Sequence, residues 1–452
     1  MTDSHQPAGL TGVAEGPPSG GASGLRRWWA LLAAVVLVSG AVGGAVWDRE
    51  QSEQAHAAAA RSTAPPEIDL EQRADAVDSI LARRSAAVMA VDEEMFLRDV
   101  DPSATALVAR QRLLFANLVD IGLAELTYQQ REAQFDQAVV NRHGPTAYLV
   151  KVWMSYRIKG VDPETVRTEL GYTFVLRGNR WMLVDDDDLD PLLTPGAHHE
   201  PWDVARLEVH RGRRVLVLVD KGRTGLGQTL VREAEEALAE VDEFWPLRWP
   251  GAALVTAVKY PKVRGADFTG NDSDSAASST GTYSSLPGDT TKEGVFAGAY
   301  VVINPANFAD ADEIVLSHEF THVATARLGG YEPLWLAEGM AEYVSWKGIE
   351  DISGPEEVAD WESDVQRQAL PRMTALPPDR SFYESSEDVY GVSWLAVRYL
   401  VRELGIDKVA TLYRHLARDG WDIQARADDM LRYTGITEAE LFAALKGYEP
   451  SR

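Results

Sequence analysis

Two histidines stand four residues apart, with a glutamate directly after the first, in the stretch LSHEFTHVATA (316–326). An α-helix turns about 100° per residue, so positions four apart lie nearly one above the other. His318 and His322 can therefore aim two imidazole nitrogens at one point, as two ligands of one metal ion must. Glu319, next to the first histidine, can reach a metal-bound water without binding the metal itself, which is where a general base is needed. Ile314, Val315 and Val323 supply an apolar side that would anchor the helix. The chain has no cysteine, so any further ligand must be His, Asp or Glu. Open catalytic zinc sites use three protein ligands and keep a fourth position for water. Downstream, PLWLAEGMAEYVS (333–345) places Glu338 and Glu342 on one helical face, with Pro333 suited to a first turn.

HEFTH followed by WLAEGMAEYV resembles the gluzincin metallopeptidases, the superfamily of thermolysin and aminopeptidase N. The resemblance covers about 200 to 240 residues and implies a small sheet beside a helical half. Carried onto this chain, it implies one zinc ion held by His318, His322 and Glu338, with Glu319 as general base. Glu342, one turn beyond Glu338, matches the place of a carboxylate that steadies a ligand histidine. A minority alternative makes Glu342 the ligand instead. In the aminopeptidase branch a tyrosine before a glycine donates to the developing oxyanion, and EDVYGVSW offers Tyr390 before Gly391. That branch also carries a G-x-M-E-N strand whose glutamate binds the substrate's amine. The nearest counterpart, GAYVVINPANF (298–308), has no acidic residue, so an endopeptidase fits better than an aminopeptidase. The same strand could still pair with an extended peptide through its backbone.

Other segments set the domain plan. Residues 1–24 are rich in Gly, Pro, Ser and Ala and read as a disordered tail. From Trp28 to Trp47 the chain carries no charge, with Arg26 and Arg27 before it and Asp48 after it. That pattern predicts a transmembrane helix within 25–47, the tail cytoplasmic and everything beyond Asp48 extracytoplasmic, a single-pass cell-membrane protein. Residues 48–67 read as a linker. Over 68–190, two helices patterned by Leu70, Ala74, Val77, Leu81, Val88 and by Leu107, Leu114, Leu118, Ile121 precede period-two strands. In AYLVKVWMSYRIK the even positions from Tyr148 to Ile158 are apolar, and Gly178-Asn179 marks a hairpin turn. This order resembles the nuclear transport factor 2-like (SnoaL-like) α+β cone, a domain type that implies a spacer or a possible small ligand or protein partner.

Residues 191–203 read as a second linker, in a stretch whose acidic run DDDDLD (185–190) lacks the spaced ligands of a calcium loop and whose adjacent His198 and His199 do not suit one metal. The final domain, 204–449, opens with strands RRVLVLVD and ALVTAVKY around a helix. Residues 269–292 read as a Ser/Thr/Gly/Asp-rich loop, a flap or excursion inside the domain. Thr437 and Glu440 have the spacing of a capping box. A net charge of −25 excludes a basic nucleic-acid footprint. The expectation is a multi-domain α+β protein and a zinc-dependent metallopeptidase acting on a peptide or protein. The competing expectation is a catalytically silent membrane-tethered binding or sensory protein with a peptidase-like fold.

Overall fold

The computed structural model describes residues 69–193, 200–263, 266–269, 276–284, 295–309, 311–384, 388–420 and 422–447. The fold is mixed α+β. The N-terminal part opens with helices α1 (Leu70–Ala90), α2 (Glu93–Leu97) and α3 (Thr105–Ile121). An antiparallel meander follows, in the order β1 (Leu123–Gln134), β2 (Tyr148–Ile158), β3 (Val166–Arg177) and β4 (Arg180–Asp185), with α4 (Gln137–His143) between β1 and β2. β3 and β4 join through Gly178-Asn179, where Gly178 takes φ +61°, the backbone such a two-residue turn requires. The even positions of β2 face the core, Val150 and Val152 among them. Its N-terminal half is covered on the other face too, because Leu149 packs against Val139 of α4 and against Leu189.

The C-terminal part opens with α5 (Pro201–Val204) and holds a five-stranded sheet. Its strands are β5 (Leu207–Arg211), β6 (Val215–Asp220), β7 (Ala253–Ala257), β10 (Ala277–Ser284) and β11 (Val295–Ile303), in the spatial order β10-β11-β7-β6-β5. A short hairpin, β8 (Lys262–Val263) with β9 (Ala266–Asp267), lies outside it. α6 (Thr224–Phe244) makes the crossover between the parallel strands β6 and β7. Helices α7 (Glu313–Thr325), α8 (Leu334–Ser353), α9 (Pro355–Asp364), α10 (Asp388–Leu404), α11 (Ile406–Asp419), α12 (Ile423–Thr434) and α13 (Glu438–Lys446) complete it. Thr437 and Glu440 form the capping box of α13.

The apolar runs of this sheet serve two cores, which explains why they are nearly continuous. Val215, Val217, Val219, Val255, Val301 and Ile303 pack into the helical half. Leu216, Leu218, Leu254, Tyr300 and Val302 pack with the N-terminal helices and meander. The stretch expected to be a linker is partly core. Trp202 is 1% exposed, and its carbonyl and that of Ala205 accept from Asn117 Nδ2 at 2.8 and 2.7 Å. Tyr300 donates to Asp162 Oδ1 at 2.8 Å across the same junction. Ion pairs tie the acidic run to its neighbours. Asp186 pairs with Arg110, and Asp188 with Arg142 and, at 3.0 Å, His143.

The membrane-anchored architecture and single-pass localisation are corrected. The span expected within 25–47 lies outside the described residues, as do the tail and the 48–67 linker. Among the described residues no helix is long and apolar enough to cross a membrane. The longest, α1 and α6, have 21 residues each but carry charged side chains throughout, as in ARRSAA and VREAEEALAEVDE. An amphipathic helix of this kind covers a protein core and cannot meet lipid on every side. A second correction concerns the 269–292 loop, of which Ala277–Ser284 is strand β10. His198 and His199 lie outside the described residues.

Candidate metal centre

α7 starts where Asp312 caps it, its side chain accepting from the backbone N–H groups of Ile314 and Val315 at 3.1 and 3.2 Å. Every residue from Val315 to Thr325 is buried. The helix lies between α6 and α8, so its histidines and glutamate face protein on all sides. His318, Glu319, His322, Glu338 and Glu342 are each 3% exposed or less. Burying five ionisable groups together is costly unless they satisfy one another or a bound ion.

The ligand atoms form a triangle. His318 Nε2 and His322 Nε2 are 3.2 Å apart, and Glu338 Oε2 lies 3.3 Å from the first and 3.5 Å from the second. A tetrahedral zinc with bonds of about 2.0–2.1 Å requires its ligand atoms to stand about 3.3 Å from one another. The three residues present therefore fit a zinc ion. Glu342 Oε1 lies 3.2 Å from His318 Nδ1, on the far side of that ring. Between the two carboxylates, Glu338 is the one whose oxygen joins the triangle with both histidines. Glu319 stands beside this group without entering it, and its Oε2 is buried with no hydrogen-bond partner.

The charges are strongly coupled. Burial disfavours a charged His318, yet the carboxylates of Glu338 and Glu342 outweigh it and raise the imidazole to about 10. Burial likewise works against a charged Glu338, but His322 and His318 outweigh it and hold the carboxyl down to about 2. Burial pushes Glu319 up, opposed by the two histidines and the Ser279 hydroxyl. In the metal-free protein the raised His318 stabilises the fold fully below its ordinary value of 6.5, and that contribution is lost as pH rises towards 10. The depressed Glu338 contributes above its ordinary 4.5, a contribution lost as pH falls towards 2. Zinc must displace the His318 proton, so uptake at pH 8 should release about one proton per ion. Calorimetric titration in buffers of different ionisation enthalpy measures this, and no release would mean that His318 is already neutral.

α8 holds Glu338 in its first turns. Pro333 sits at the N-cap, and Asp379 Oδ1, from a distant loop, accepts from Leu334 N at 2.9 Å. Gly339 lets α10 approach closely, since a Cβ there would collide with the Ser393 carbonyl oxygen. Tyr390 lies on α10, 6% exposed, its ring 5.1 Å from that of Phe382. Tyr383, a residue 41% exposed, donates its hydroxyl to Glu338 Oε1 at 2.9 Å. Burial of that hydroxyl, with the negative Glu338 beside it, pushes Tyr383 well above the ordinary tyrosine range. Glu332 is a further buried acid, pushed up by burial and bonded to the Tyr413 hydroxyl at 2.8 Å.

The sheet edge beside the site also differs from expectation. GAYVVI (298–303) belongs to β11, which pairs with β10 on one side and β7 on the other, so its backbone is already engaged. β10 is the outer strand, and its Ser279 faces Glu319. Neither Tyr383 nor Ser279 carries a sequence signal, since both sit in polar stretches without periodicity. No protein-family model and no curated protein matches the chain.

Proposed function

We propose that the chain is a zinc metallopeptidase that cleaves peptide bonds within a chain. The observation that carries this reading is the buried triangle of His318 Nε2, His322 Nε2 and Glu338 Oε2, with sides of 3.2 to 3.5 Å, beside an unpartnered Glu319 oxygen. When bound, a zinc ion would polarise the scissile carbonyl and acidify the attacking water. Glu319 takes the proton from that water and passes it to the leaving amine; a carboxyl whose proton affinity is raised by burial suits both halves of that transfer. Glu342 holds His318 through Nδ1 and so keeps Nε2 turned to the triangle. Tyr390 is assigned the donor role to the oxyanion, by resemblance and by its place behind Phe382 near Tyr383.

An extended substrate would add to β10 as one more strand, which brings its backbone past Glu319. The strand reads ASSTGTYS and offers no carboxylate to capture a free amine, which favours internal cleavage. Peptides blocked at both termini test this. They should be cut by the zinc-loaded protein, with loss of activity on chelation and recovery on adding zinc. Cleavage confined to free N-terminal residues, or to esters, would contradict it.

A further inference from the structure

We infer that Tyr383 is a positioning residue for the metal centre, one that makes Glu338 a one-oxygen ligand. The inference rests on the zinc reading above and extends it to a residue outside the motifs. Glu338 uses its two oxygens differently. Oε2 faces both histidines at 3.3 and 3.5 Å, whereas Oε1 accepts from the Tyr383 hydroxyl at 2.9 Å.

A free carboxylate can bind a cation through one oxygen or both, and a two-oxygen mode would occupy the position a catalytic zinc leaves open for water. A hydrogen bond to Oε1 opposes that second mode, because the oxygen would have to give up its donor in a site with few replacements. Glu338 itself is fully buried, so loss of the Tyr383 donor would cost Oε1 a hydrogen bond in a desolvated setting.

The placement of Tyr383 supports the role. It follows a short helical turn at Asp379–Ser381. Asp379 itself caps α8 at Leu334 and pairs with Arg426 at 3.0 Å. The segment that presents the hydroxyl is thus fastened to the start of the helix that carries Glu338. The Tyr383 ring packs edge-on against Phe382 at 5.4 Å, which leaves the hydroxyl as the part that meets the site.

Tyr383→Phe keeps the ring and removes the donor. Zinc affinity, measured by competition with a chromophoric chelator, should fall about 10–100-fold, the range typical of lost support to a ligand. The cobalt-substituted variant should show weaker visible absorption than cobalt-substituted wild type, as the coordination number rises from four towards five. Unchanged affinity and spectrum in Tyr383→Phe would overturn the assignment while leaving the metal reading in place. A wild-type protein that takes up neither zinc nor cobalt would overturn both.

Discussion

Glu319→Gln should lower kcat on a blocked peptide by a factor on the order of 10²–10⁴ while leaving about one zinc ion per chain. The amide matches the carboxyl in shape but has no oxygen that takes up a proton at neutral pH. Glu319 lies outside the ligand triangle, so the three metal-binding atoms are untouched. The amide keeps the shape of the side chain and an oxygen to accept from Ser279, so the variant should keep the fold. The paired measurement is turnover together with zinc content. Wild-type turnover in Glu319→Gln would remove this residue from proton transfer. Loss of zinc would instead make Glu319 part of the metal's support.

Glu338→Ala and Glu342→Ala should separate a ligand from its support. Glu338 supplies one corner of the triangle, so its loss removes roughly a third of a zinc-binding free energy on the order of 10–16 kcal/mol, a weakening on the order of 10²–10⁴-fold. Glu342 touches the zinc side only through His318, at 3.2 Å from Nδ1, so its loss should weaken binding about 10–100-fold. The order of the two effects matters more than their sizes. Should Glu342→Ala prove the more damaging by chelator competition, the minority alternative with Glu342 as ligand would replace the assignment made here.

The parts of the site that were legible in the sequence are those fixed by local geometry. His318 and His322 are four apart on one helix, and Glu338 and Glu342 are four apart on another, so helical spacing alone places each pair. The hairpin at Gly178-Asn179 and the cap at Thr437 were readable for the same reason. What could not be read depends on contacts between distant segments. Tyr383 reaches Glu338 across 45 positions from a loop, where no periodicity distinguishes it from Tyr390. β10 reads ASSTGTYS, a composition with weak strand preference, and becomes a strand because β11 supplies its partners. The run VLVLV fits a strand buried on both faces, but the sequence does not say which elements cover each face. Trp202 sits in a stretch that reads as linker because burial of a single aromatic leaves no pattern in its neighbours.

The central claim is that His318, His322 and Glu338 hold a metal ion. The most direct measurement is the metal content of the protein purified without chelators, by elemental analysis, followed by zinc titration of the stripped protein. About one zinc ion per chain, bound tightly and released on acidification as His318 regains its proton, is the expected result. A protein that carries no metal and takes up none on titration would contradict the account, leaving the triangle as a buried ion pair between His318 and Glu338.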